Sequence, residues 1–189
     1  MTNSNKPPTR FGLESCQDMH EKLKWEADKL EKSWGVYDTF NFVVTAHHLY
    51  VDWIDSCGSP ELIAKKSSLP DPAKKVMQAI ADLVNGNKHY KLTEGRSLKR
   101  QVVTKVYKPI IGDYYAYFVA GPMVYVDFGD FNLSMMELMH QVLGYFEWLF
   151  KDGDITFPLA LQNHLNMCIT RPEKMLQDQE TAMRHSLEQ

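Results

Sequence analysis

Residues 40–55, FNFVVTAHHLYVDWID, decide how the rest of the chain is read. The stretch is apolar on most faces, and a helix of that kind belongs at the centre of a bundle. At helical spacing Phe40, Val44, His47, Val51 and Ile54 share one face. Asn41, Thr45, His48 and Asp52 share another, at steps of four, three and four. A polar ladder therefore climbs the most apolar helix of the protein. Leaving buried polar groups unpaired costs roughly 1–3 kcal/mol each, so such a ladder needs partners or a cleft.

A second ladder stands in the helix expected over 72–91. Gln78, Asp82, Asn85 and His89 repeat the same steps, opposite an inward set of Val76, Ala79, Ile80, Leu83 and Val84. Two polar stripes on two core helices predict that the helices face each other. Three readings of the shared polar set follow. In the first, Asp52 accepts from His48 or His89 inside a satisfied polar core. In the second, a carboxylate-oriented His, either His89 or His48, works in a cleft as general acid or base. In the third, His48, Asp52 and His89 hold a metal; His47 and His48 are adjacent and point apart, so they make no chelating pair. The second is the expectation carried forward, with Asn85, His89, His48 and Asp52 as catalytic candidates. No metal ligand set and no cofactor are expected.

Around these two helices the other elements follow from periodicity and caps. Leu13, Cys16, Met19, His20, Leu23, Ala27 and Leu30 predict an amphipathic first helix over 12–34. Gly35 separates it from the helix over 36–56, which Gly58-Ser59-Pro60 ends; a short helix is expected at 60–66. Asp71-Pro72 marks the next start. From about residue 99 to 129, RQVVTKVYK, DYYAYFV and PMVYVDF are rich in Val, Tyr and Phe, with a turn at Ala120-Gly121, and predict a small antiparallel sheet. Helix returns at Ser134, where Ser134 and Glu137 form a capping box and Leu133 and Leu138 a staple. It runs to about 151, and a last partly helical segment over 157–187 breaks near Arg171-Pro172. The fold expected is mainly α: one helical-bundle domain over 1–189 with a β insertion at 99–129. Residues 1–10 are expected to be loose and 172–189 to form a polar helix or tail.

Composition excludes several classes. With 44% hydrophobic and 12% aromatic residues, the chain has material for a real core. MTNSNKPPTR has no apolar stretch of the signal-peptide kind, and no run approaches the length of a membrane span, so a membrane is not an expected partner. Cys16, Cys57 and Cys168 are an odd set with no CxxC spacing. They read as reduced thiols of a cytoplasmic protein, neither a disulfide frame nor a zinc site. The common nucleotide-loop, nucleophile-elbow and zinc-protease motifs do not occur.

The net charge of −3 hides a basic run. Lys88, Lys91, Arg96, Lys99, Arg100, Lys105 and Lys108 face a single acid, Glu94, with Tyr90 and Tyr107 interleaved. Such a run beside a His site suits a phosphate-bearing ligand, RNA or a nucleotide, with Lys88, Lys91, Arg96 and Arg100 as its candidate contacts. It equally suits a solvated loop and a lysine-guarded edge strand.

NFVVTAHHLYVDWI, then DLVNGNKHYKL, a β-rich piece and GYFEWLF together resemble uncharacterised bacterial helical proteins of the HEPN superfamily, over about residues 36–151. The resemblance implies a helical bundle of the kind that often serves as a ribonuclease in toxin–antitoxin and antiviral systems. It places His89 at the motif His and Asn85 at the motif's polar residue. The motif Arg falls on Val84, a departure. The resemblance thus implies an RNA-binding or RNA-processing protein with a degenerate motif. Its alternative is a non-catalytic module of a bacterial or phage system that binds a protein partner or its own copy.

Overall fold

A computed structural model describes residues 12–88, 103–107, 125–128, 131–153 and 156–169. The expected loose residues 1–10, the Ala120-Gly121 turn and the tail over 172–189 lie outside these. Among the described residues, seven α-helices, one π-helical turn and three strands make a mainly helical fold.

Helix α1, Cys16–Ser33, begins with a capping box the caps' sequence explains: Ser15 and Asp18 satisfy each other's backbone N–H groups. Its inward line is Cys16, Met19, His20, Leu23, Ala27 and Leu30. It ends on Trp34, whose left-handed backbone (φ 46°) turns the chain into Gly35.

The decisive stretch is α2, Val36–His48, then a π-helical turn, Leu49–Trp53, then α3, Ile54–Cys57. The Ile54 N–H donates to the Leu49 carbonyl, five residues back. That wider turn stacks Leu49 and Ile54, both fully buried, on one side. This corrects the phase read from the sequence. The buried line is Phe42, Val43, Ala46, Leu49 and Ile54, whereas Phe40 and Val51 stand at 38% and 40% exposure.

Helix α4, Pro60–Ser67, is pinned by two adjacent lysines. Lys66 Nζ donates to the Tyr50 carbonyl at 2.6 Å and pairs with Asp55 at 2.5 Å. Lys65, buried, donates to the carbonyls of Trp148 and Lys151 at the end of α6. Helix α5, Asp71–Lys88, packs on α2, but not through facing polar ladders: Asn41, His48 and Asp52 are exposed and Thr45 turns to α1. Val76, Ala79, Ile80 and Val84 are buried as expected, with Leu83 at the margin.

The β portion needs a second correction. Strands β1 (Val103–Tyr107), β2 (Tyr125–Phe128) and β3 (Phe131–Ser134) form an antiparallel sheet in that order, so it extends past 129 to Ser134. Val103, Val126 and Leu133 are among its buried side chains. Ser134 then caps α6, Met135–Phe150, with the expected capping box. Met135, Leu138, Met139, Val142, Phe146 and Leu149 of α6 fill the core. Gly153, at φ 100°, follows its end, and α7, Leu159–Ile169, completes the described chain.

Candidate functional site

His48 and Asp52 stand together where α2 passes into the π-helical turn. His48 Nδ1 lies 2.5 Å from Asp52 Oδ2. The ionised carboxylate only accepts, so Nδ1 carries the proton in this bond and the neutral ring presents Nε2 as its acceptor. Both side chains are exposed, at 49% and 57%. The rings of His47 and His48 meet edge to face, with centroids 5.7 Å apart. A carboxylate-oriented imidazole of this kind can take or give a proton at Nε2, or attract an anion once protonated.

The first ladder therefore splits. Asn41, His48 and Asp52 are exposed. Thr45 is buried and belongs to another cluster: Lys22 Nζ of α1 donates to Thr45 Oγ1 at 2.6 Å and to Glu26 Oε1 at 3.0 Å. At about 100° per residue the rungs stay within about 60° of one another, so the split lies in their neighbours: Thr45 meets α1 through Lys22.

The second ladder divides too. Gln78 Nε2 donates to Asp82 Oδ1 at 2.9 Å. Asp82 Oδ2 accepts the backbone N–H of Val103 at 3.0 Å, so this carboxylate fastens β1 to α5. Asn85 is half-buried on the last turn and Lys88 ends the helix. His89, Lys91, Arg96 and Arg100 lie outside the described residues. Val84 is 5% exposed and part of the core.

A cavity of about 290 Å³, whose lining does not include His48, lies between the start of α1, the α3–α4 junction and the end of α6. Cys16, Cys57, Lys65 and Leu149 are among its lining residues. Sequence spacing gives no sign of this cluster, because its members come from four elements. Among the described residues no three His, Cys, Asp or Glu side chains gather as a metal set, and no helix is long and apolar enough to cross a membrane. No family model, curated protein or solved structure matches the chain.

Proposed function

We propose that the protein is a HEPN-like bundle that binds or processes RNA, or another phosphate-bearing ligand, on the α2–α5 pair. The observation that carries this is the exposed His48–Asp52 dyad on the π-helical turn, a local irregularity of the sort often kept for function. In this reading His48, Asp52, Asn85 and His89 act on the ligand, and Lys88, Lys91, Arg96 and Arg100 hold its phosphates. Val84 gives no cation, so the familiar Arg–His chemistry is replaced by a carboxylate-oriented His. Labelled single-stranded RNA followed by anisotropy at two salt concentrations tests the binding. Wild type binds, and Arg96→Ala/Arg100→Ala weakens it and lowers the salt slope by about 1–2. Absence of binding by wild type at low salt overturns the reading. Cleavage by wild type that His89→Ala or His48→Ala abolishes supports catalysis, and equal cleavage by all three removes it.

A second reading, a non-catalytic module that pairs with its own copy, is favoured by one patch. Val36 and Tyr37 at the start of α2 are 68% and 86% exposed, with Phe40 one turn on. Light scattering at micromolar concentration decides it: Tyr37→Glu turns a dimer into a monomer, and a wild-type monomer excludes it.

A further inference from the structure

The proposed ligand chemistry leaves the cysteine pair unused. Cys16 is the first residue of α1 and Cys57 the last of α3, 41 positions apart in sequence. The fold sets their Sγ atoms 2.9 Å apart. Both thiols donate to one acceptor, the Trp53 carbonyl oxygen, each at 3.2 Å, and this common acceptor keeps the sulfurs side by side. A disulfide needs an S–S distance near 2.05 Å, so about 0.9 Å of approach remains. The chain leaves the helix at Gly58, where a Cβ would run into the Ile54 carbonyl oxygen; glycine permits the tight exit that brings Cys57 to the start of α1.

The two thiols differ in access. Cys57 is exposed and Cys16 is buried at 6% exposure, and both line the cavity. We infer that Cys16 and Cys57 are a reversible redox site, joined as an intramolecular disulfide by exchange with small disulfides of the glutathione class that enter the cavity. The reading of the cysteines as plain reduced thiols then holds for one state of the protein only.

The exchange balances as follows. The Cys57 thiolate attacks one sulfur of glutathione disulfide. That S–S bond breaks, one glutathione leaves and takes up a proton, and Cys57 carries a mixed disulfide. Cys16 releases its proton to water and attacks Cys57 Sγ, and the second glutathione leaves as its thiol. The protein loses two protons and two electrons, and the glutathione disulfide gains them. Burial raises the Cys16 thiol to about 12, and the Cys57 thiol beside it adds to the rise. Cys57 therefore reacts first.

The site is tested on full-length Cys168→Ser protein, which retains the pair. The protein is equilibrated in glutathione buffers of graded redox ratio, quenched in acid, alkylated and weighed. The expected result is loss of two hydrogens in one two-electron transition, with a Cys16–Cys57 cross-linked peptide. The cross-link raises Tm by roughly 10 °C, and dithiothreitol reverses this. In Cys16→Ser/Cys168→Ser protein, Cys57 stops as a stable glutathione adduct. Cysteines that stay alkylatable across the series overturn the inference. So does a lasting glutathione adduct when Cys16 is present, or a cross-link that leaves Tm unchanged. An absent adduct in the Cys16→Ser protein overturns the assigned order.

Discussion

His20 of α1 lies flat on Phe150 of α6, with ring centroids 4.5 Å apart and planes 9° from parallel. The ring is 4% exposed, and neither nitrogen meets a hydrogen-bond partner among the described residues. An imidazole so placed is held as an apolar ring. Burial lowers its pKa from the ordinary histidine value; Lys24 lowers it further, and Glu21 opposes. The unfolded chain thus binds the proton more readily than the folded one, and stability rises with pH across that interval. The contribution is intact above about pH 6.5, falls as pH drops below it, and levels off once the folded ring protonates. Urea midpoints at pH 7.5 and pH 5 should therefore drop for wild type, and His20→Leu should shrink the drop. An equal drop in both proteins places the acid sensitivity elsewhere.

Lys22 links α1 to α2 through Glu26 and Thr45. The Glu26 side chain is 6% exposed and Lys22 35% exposed, so one end of the pair is wet. Lys22→Met leaves a buried carboxylate without its cation. A loss of about 2 kcal/mol is expected, below the roughly 3–5 kcal/mol of fully buried pairs because Lys22 reaches solvent. Lys22→Met/Glu26→Leu should recover most of it. Chemical denaturation of the four proteins of the cycle reads the coupling directly, and additive losses would show that the pair is not coupled.

The helices were within reach of periodicity because α1, α5 and α6 each bury a single face and carry legible caps, such as Ser134 with Glu137. The π-helical turn was not. A segment apolar on nearly every side offers no unique phase, so Phe40 and Val51 read as inward as readily as Phe42 and Leu49. Strand β3, Phe131–Ser134, is hidden because its four residues also read as the approach to a capping box. His48 and Asp52 are legible as neighbours one turn apart, whereas their exposure depends on how α2 is seated. The Cys16–Cys57 pair depends on two chain ends meeting, which local spacing does not encode.

Gly86 sits inside the last turns of α5, and a Cβ there meets nothing within 4 Å. Alanine restricts the unfolded chain and favours helix, so Gly86→Ala should stabilise by about 0.5 kcal/mol, discounted for the nearby helix end. Thermal melts check this. If Gly86→Ala stabilises and weakens RNA binding together, the glycine serves ligand approach, not folding.

His48 and Asp52 are a surface pair, and such pairs contribute about 0–1 kcal/mol. His48→Ala and Asp52→Asn should leave the denaturation midpoint nearly unchanged. Under the proposed function they weaken RNA binding at neutral pH, and Asp52→Asn does so less, since the imidazole remains. A large fall in midpoint in either protein would make the pair structural and remove it from the site.

Val84→Arg would place an arginine one position before Asn85, where the proposed HEPN-like reading would look for one. Val84 is buried in the same core cluster as Val76 and Ile80, which makes the substitution costly. A guanidinium there loses its water and overfills a packed site. A loss of about 3–5 kcal/mol is expected, enough to threaten the fold outright. Circular dichroism and urea titration measure it. Val84→Met, similar in reach but uncharged, should cost about 1–2 kcal/mol and separates charge from size. A stable Val84→Arg protein that gains RNA cleavage would mean that this face of α5 can turn outward, and would support the proposed HEPN-like reading.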